Sequence, residues 1–319
     1  MSLRILVTGA SGFVGGAFLR RFQEQPGVEI RGIGRRASDL PNYHRIDLSR
    51  AFALDWQPDV VIHAAALASP WGTRAQFQLH NVQATANVID FCKRKGCPRL
   101  LYVSSSSVFY REAHQYDLDE DSPIGPAFVN TYAETKYLGE TLLDAYPGQK
   151  CVLRPRAVFG PGDTVLFPRV IAAARKGALP RFVGQTRPVI GDLIYIDTLC
   201  DYLYRAATAP QLQAAYNLTN AQPVDLQHVL LEVLARLQLP LPRREVRIGT
   251  ALRMASVVEA VYRGLRLRGE PPITRFGVGV FAYSKTFDPR RTLADLGPPS
   301  VGLDEGVDAF VRWQAAQWT

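Results

Sequence analysis

The sequence predicts an α/β fold: a doubly wound parallel sheet with a smaller C-terminal α+β lobe that receives a substrate. Three observations predict it. Short β-branched runs alternate with amphipathic stretches through the first half of the chain, the rhythm of a parallel sheet covered by helices on both faces. Those runs lack clean apolar–polar alternation, as strands buried on both sides do. A glycine-rich turn leaves the first run and opens the first amphipathic stretch, at the strand end where open α/β sheets bind ligands.

In order, Arg4–Thr8 (RILVT), Glu29–Ile33, Tyr43–Ile46, Val60–His63, Leu100–Ser104 and Cys151–Arg154 read as strands. Phe13–Gln25, Phe77–Lys95 and Asn130–Tyr146 read as the helices between them. Phe77, Val82, Ala86, Ile89 and Phe91 fall near a 3.6-residue period and predict a buried stripe. After Gly160 prolines and glycines become denser and the alternation stops. Residues 1–158 are therefore expected to form the first domain, with 189–210 (strand, then helix) returning to it. Residues 159–188 and 211–319 are expected to form the substrate-binding lobe over the carboxyl ends of the strands.

Composition narrows the class. The chain has 319 residues, 47% hydrophobic and 21% charged, enough to bury a core without metals or disulfides and unlike collagen, coiled coils or disordered chains. Four scattered cysteines (Cys92, Cys97, Cys151, Cys200) have no metal-ligand spacing, and read as reduced thiols. The uncharged run Val60–Thr73 is 14 residues long and contains His63, Pro70 and Gly72, whereas a membrane span needs about 20 apolar residues. No export signal opens the chain, so a cytoplasmic location is expected. The net charge of +8 is carried mostly by arginine, without the long basic runs of a nucleic-acid-binding protein.

The turn Thr8-Gly9-Ala10-Ser11-Gly12-Phe13-Val14-Gly15 follows a strand and opens a helix. Glycines there let the chain turn sharply, let a pyrophosphate approach bare backbone and let helix pack on sheet, while the helix start offers unpaired N–H groups to phosphates. In that context the spacing marks a Rossmann-type dinucleotide site. The end of the second strand reads Gly32-Ile33-Gly34-Arg35-Arg36. It lacks the carboxylate that would accept from a ribose 2′-OH and supplies two guanidiniums for a 2′-phosphate. NADP(H) is favoured over NAD(H); the plainer reading makes Arg35 and Arg36 solvated loop cations. Asp47-Leu48 follows the third strand, placed either to meet the adenine or to cap the next turn.

Tyr132 and Lys136 lie four apart on one predicted helix face. A neighbouring ammonium would bring a phenol of pKa near 10 toward working pH. Such pairs are common by chance, but Ser104-Ser105-Ser106-Ser107 ends the fifth strand and faces the same cleft. There a serine hydroxyl can hold a substrate oxygen that the tyrosine protonates.

With these residues assembled, the chain resembles an extended short-chain dehydrogenase/reductase of the NAD-dependent epimerase/dehydratase superfamily. The resemblance runs through Thr8–Gly15, Asp47-Leu48, His63-Ala64-Ala65-Ala66, Asn81, Ser105, Tyr132/Lys136 and Leu153-Arg154-Pro155…Gly160-Pro161-Gly162. It continues to Ile196-Asp197, Tyr216-Asn217-Leu218 and Asp288…Leu296-Gly297. It implies that Tyr132 is the acid/base, that Lys136 holds the nicotinamide ribose and tunes Tyr132, that Ser105 polarises the carbonyl, and that Asn81 supports the structure around the cofactor. The cofactor contacts it implies, joined to those read above, are Gly9, Gly12, Phe13, Val14, Gly15, Arg35, Arg36, Asp47, Leu48, Ala64, Ala65, Ala66, Asn81, Tyr132, Lys136, Pro155 and Val158. It also implies a homodimer.

Which branch the chain follows turns on Ala157. Nucleotide-sugar members carry an asparagine there to contact the sugar diphosphate, and alanine cannot donate to a phosphate oxygen. Trp71-Gly72 and the tail Pro271-Pro272-Ile273-Thr274-Arg275…Phe287-Asp288 resemble 3β-hydroxysteroid dehydrogenases and long-chain 3-oxoacid reductases. The expectation is a reductase interconverting a ketone and a secondary alcohol on a hydrophobic small molecule, steroid-like or 3-oxoacid-like; the alternative is a nucleotide-sugar epimerase, dehydratase or reductase. Trp71, Phe182, Met254, Val257, Val258 and Tyr262 are candidate apolar lining, and Arg156, Arg169, Arg181 and Arg187 candidate anion contacts. Residues 251–267 carry an apolar stripe with arginines opposite, read as a helix packed on the lobe or as one resting on a membrane surface.

Overall fold

The computed structural model describes residues 2–318. The chain opens with β1 (Leu3–Thr8), α1 (Phe13–Phe22), β2 (Val28–Gly34), β3 (Tyr43–Arg45) and β4 (Val60–His63). A nearly continuous helix follows: α2 (Arg74–Phe77), a π-helical turn over Gln78–Gln83, and α3 (Ala84–Arg94). Then come β5 (Arg99–Val103), β6 (Gln115–Leu118), α4 (Thr131–Leu142), β7 (Lys150–Pro155) and β8 (Val158–Phe159). The next stretch holds α5 (Phe167–Arg175), β9 (Arg181–Val183), β10 (Ile190–Gly191), β11 (Ile194–Tyr195), α6 (Ile196–Thr208), β12 (Ala215–Leu218), β13 (Val224–Asp225) and α7 (Leu226–Arg236). The last is β14 (Glu245–Arg247), α8 (Ile248–Gly264), α9 (Arg275–Gly279), β15 (Lys285–Phe287), α10 (Arg290–Leu296) and α11 (Leu303–Ala316).

Seven parallel strands form the main sheet in the order β12-β7-β5-β4-β1-β2-β3. Ile5 and Val7 join one core with Phe18, Leu199 and Leu203, whereas Leu6 joins another with Val61, Val88, Leu100 and Tyr102. Neighbouring residues of β1 thus serve opposite faces, the physical reason its sequence does not alternate. The strand order switches direction between β1 and β4, and Thr8 pairs with His63 at their carboxyl ends. A crevice opens there, where such sheets bind ligands.

The expected division is corrected at three points, one being β10, expected to return to the first domain but paired with β13 and β15 in the lobe. β12, expected in the lobe, is the seventh strand of the main sheet, with Tyr216 beside Leu153; its AYNL segment is buried throughout, and β7 needs a partner for its edge. β6, expected in the first domain, joins β13, β10 and β15 in a four-stranded sheet of the lobe. α6 packs on α1, tied by Arg21 Nε to Asp201 at 2.6 Å.

The helix predicted over Phe77–Lys95 also differs in detail. Its π turn inserts a residue and rotates the face, so that Asn81, Ala84, Thr85, Val88 and Cys92 are buried while Val82 and Ala86 are only half-buried. Single π turns of this kind often mark functional sites.

Candidate active site

The glycine turn is built against the chain leaving β4. Gly9 adopts φ +72°, and a Cβ there would lie 2.7 Å from the Ala65 nitrogen. At Gly15 a Cβ would lie 2.6 Å from the Gly9 carbonyl oxygen, so helix, turn and the Ala64–Ala66 segment approach as backbone alone. Gly12 is the N-cap of α1 without a side-chain cap, and no acidic residue occupies the first turn. The N–H groups of Phe13, Val14 and Gly15 therefore remain available at a positive helix end. A pyrophosphate fits this cradle by charge and by space.

At the rim, Gly34 ends β2 against the Ser11 hydroxyl. Arg36 Nη2 donates to the Ser11 carbonyl at 2.5 Å, and Arg35 lies 3.0 Å from His80 Nε2. Both arginines are exposed. The Asp47 carboxylate accepts from Ser49 N at 3.0 Å, and this hydrogen bond holds its pKa below the usual range. Leu48 is buried beneath it, its carbonyl accepting from Asn87. His80 was missed in the sequence, where an isolated histidine on a helix carries no signal.

Between cradle and catalytic helix runs a buried chain of hydrogen bonds with a definite direction. Thr85 Oγ1 donates to the Asn81 carbonyl at 2.5 Å, so it accepts from His63 Nε2 at 3.0 Å. His63 is then the Nε2–H tautomer, and its Nδ1 accepts from Thr8 Oγ1 at 2.7 Å, which itself accepts from Ala65 N. Asn81 Oδ1 takes the Leu67 N–H at 2.7 Å, while its Nδ2 donates to Thr135 Oγ1 at 3.0 Å on α4. Burial, aided by the Lys136 charge, pushes His63 down to about 3, so the ring stays neutral. Asn81 thus bridges the Leu67 backbone and Thr135; Thr85 and Thr135 were not singled out in the sequence, and His63 only as the first residue of the His63–Ala66 motif.

Ser105, Tyr132 and Lys136 meet at the carboxyl edge of β5. Ser105 caps a 3₁₀ turn, accepting from Ser107 N at 3.2 Å. Asn130 caps α4 through its side chain, 2.8 Å from Ala133 N, which orients the turn carrying Tyr132. Burial pushes the Tyr132 phenol up to about 12, with the Ser105 hydroxyl pulling the other way. Lys136 is buried, its ammonium 4.2 Å from the centre of the Tyr102 ring, and desolvation pushes it down to about 7 against the pull of Glu140. The sequence reading has Lys136 lowering the phenol; here burial raises it above its ordinary value and the opposing pull comes from the Ser105 hydroxyl.

Behind the serine turn, Arg154 holds Glu140 through Nε (3.1 Å) and Nη2 (2.8 Å), and Ser104 donates to the same carboxylate. This buried pair locks α4 to β7, and breaking such a pair by removing one partner typically costs about 3–5 kcal/mol. Pro155 ends β7, and Val158 pairs with Ile194. Ala157 adopts φ +43°, left-handed backbone that glycine or asparagine would hold with less strain.

In the lobe, the Trp71 and Tyr262 rings meet edge-on with centroids 6.3 Å apart, Arg263 lying over Trp71, and Phe182 is buried against α8. Met254 and Val257 are not lining: they face outward on α8, Val257 64% exposed, because Ala251, Ala255 and Glu259 take the packed face. Among the four candidate arginines, Arg169 pairs with Glu270 and Arg181 lies near Glu245. Arg187 is exposed, and Arg156 is buried. No helix among the described residues is long and apolar enough to cross a membrane.

Comparison with known proteins shows the family and the fold. The sequence model of the NAD dependent epimerase/dehydratase family matches residues 5–220. A Stenotrophomonas maltophilia protein named 2-alkyl-3-oxoalkanoate reductase is 32% identical, covering 98% of this chain and 100% of its own. Isoform 1 of the Arabidopsis thaliana 3beta-hydroxysteroid-dehydrogenase/decarboxylase is 30% identical over 81% of this chain and 63% of its own. Among solved structures, the Bordetella bronchiseptica enzyme WbmH in complex with NAD+ superposes with a TM-score of 0.76 at 21% identity, covering 99% of both chains.

Proposed function

The chain belongs to the NAD dependent epimerase/dehydratase family, and from that premise we propose that it is an NADP(H)-dependent oxidoreductase interconverting a ketone and a secondary alcohol on a hydrophobic substrate. It is an enzyme of the extended short-chain dehydrogenase/reductase type. The observation that carries the reading is the meeting of Ser105 and Tyr132 at the mouth of the glycine cradle, with Lys136 one turn along the same helix. A mere dinucleotide sensor needs no such acid.

A dinucleotide held by its pyrophosphate at the cradle would supply or accept the hydride. The protein supplies the rest. The Ser105 hydroxyl holds the substrate oxygen, and the Tyr132 phenol, protonated through the neutral range, gives it the proton in the reducing direction. Lys136 would hold the ribose and balance a phenolate in the oxidising direction. The Ala64–Ala66 segment flanks the cradle, Pro155 and Val158 would meet the cofactor from the end of β7, and Arg35 and Arg36 would receive the 2′-phosphate at the cradle's rim.

The names of the 3-oxoalkanoate reductase and hydroxysteroid dehydrogenase relatives support a hydrophobic ketone. Ala157 speaks against a nucleotide sugar, since it offers no donor to a diphosphate. The deciding experiment is a thermal-shift and turnover panel on the NADPH-loaded protein. Hydrophobic ketones and 3-oxo acids are expected to raise Tm and to be reduced. UDP, dTDP and GDP are expected to leave Tm unchanged. Stabilisation by a nucleoside diphosphate at sub-millimolar concentration would instead establish a nucleotide-sugar enzyme.

A further inference from the structure

We propose that the cavity between Arg156, Lys285 and Tyr110 is a receptor for a carboxylate on the substrate, set beside the carbonyl that Ser105 and Tyr132 address. The inference rests on the oxidoreductase reading and narrows its substrate to a keto acid with an alkyl chain.

The first ground is an arginine without an anion. Arg156 leaves the end of β7, is 5% exposed, and has no hydrogen-bond partner at Nε or Nη2. Two residues earlier Arg154 uses the same two atoms to grip the Glu140 carboxylate from the side. Arg156 thus presents the bidentate edge of a guanidinium, buried and unused. Leaving such donors buried and unmatched is costly.

The neighbouring charges do not fill the gap. Asp192 gives Oδ2 to the Phe287 N–H at 2.9 Å, its other oxygen is also unpartnered, and it forms no ion pair with Arg156. Lys285, 4% exposed, donates only to the carbonyls of Ala113 and Ser284. Glu112, the one acid on the cavity wall, is engaged by Arg275. The wall therefore carries more positive than negative charge, and behind it the Nε and Nη2 atoms of Arg156 stay without a partner.

Size and position fit one small anionic group, with any hydrocarbon tail lying outside the cavity. The cavity has about 30 Å³ of accessible space, room for two water-sized groups such as the oxygens of a carboxylate and too little for a nucleoside diphosphate. Val129, Phe276, Val280 and Tyr283 give the wall an apolar part, beside the charged Arg111, Glu112 and Arg275. Tyr110, whose ring faces Arg156 at 5.1 Å, is bonded to Ser106 at 3.2 Å, next to Ser105. Val129 lies three residues before Tyr132.

The test compares a long-chain 3-oxo acid with its methyl ester on the NADPH-loaded protein, and measures the Tm shift given by decanoate against methyl decanoate. The acid is expected to have a kcat/KM at least tenfold above the ester, and only decanoate is expected to raise Tm. Arg156→Gln should bring the acid-to-ester ratio close to one and remove the decanoate shift, while Arg156→Lys should retain part of both. Equal efficiency on acid and ester in the wild-type protein, or a ratio that Arg156→Gln leaves in place, overturns the receptor. Should Arg156→Gln not fold, Lys285→Met with the wild-type decanoate shift decides by the same criteria. A decanoate shift that depends on Arg156 in a protein that reduces no ketone would uphold the receptor and overturn the oxidoreductase reading.

Discussion

Asn81 and Thr135 lie 54 residues apart in the chain and are joined by a 3.0 Å hydrogen bond from Nδ2 to Oγ1. Thr135 passes its proton back to the carbonyls of Thr131 and Tyr132, at 2.9 and 3.1 Å. The π turn is thereby fastened to the turn of α4 that carries the phenol. Replacing Thr135 with Val keeps the shape and leaves the Asn81 amide short of an acceptor. It should cost about 1–3 kcal/mol in chemical denaturation and lower kcat more than it raises KM, since the phenol is displaced rather than the substrate contacts.

Tyr132→Phe should leave NADPH binding in place and reduce turnover by about 100-fold or more. The pH dependence should separate the two directions. With the wild-type phenol at about 12, ketone reduction needs the protonated form and should stay level as pH rises through neutrality. Alcohol oxidation needs the deprotonated form and should climb with pH over the same range. Steady-state rates in both directions across pH 6–10 check this; a Tyr132→Phe protein with near-normal activity would exclude the assigned acid.

Arg35 and Arg36 stand at the end of β2 with no carboxylate beside them at Gly34. Changing both to Ala should weaken NADPH by about 1.5–3 kcal/mol for each charged hydrogen bond lost and leave NADH nearly unaffected. Fluorescence titration with both cofactors reads the difference. Equal wild-type affinity for NADPH and NADH would remove the basis for the NADP(H) preference.

His63 gives stability a pH signature. Its folded pKa of about 3 lies below the usual histidine value of 6.5, so between those values the unfolded chain binds a proton that the folded chain does not. Stability is full above 6.5 and falls as pH drops toward 3, with a slope of about 1.4 kcal/mol per pH unit for this group. Asp192, raised by burial to about 6, acts in the opposite sense between 3.8 and 6, so the comparison must be with a variant. His63→Gln should be less stable at neutral pH and show a shallower acid-side loss in urea melts from pH 7 to 4. An unchanged slope would mean that His63 is not held neutral.

The sequence by itself determined the sheet and the cradle, because both are written in local terms. Burial on two faces makes Ile5–Val7 of β1 and Val60–Ile62 of β4 unbroken apolar runs, and the Gly9, Gly12 and Gly15 spacing answers to backbone sterics within one turn. Ser105, Tyr132 and Lys136 were also legible, since a strand end and one helix face are short-range features. What joins them was not. The π turn that brings Asn81 and Thr85 to face His63 and Thr135 depends on how the helix seats against β4 and α4, and no residue spacing encodes it. β12 crossed from the expected lobe into the main sheet because the open edge of β7 needed a partner, a demand visible only once the sheet exists. Likewise Arg154 and Arg156 look alike in the chain, two residues apart; only the fold gives one a carboxylate and leaves the other facing a cavity, because burial and neighbours, not residue type, decide which charge is matched.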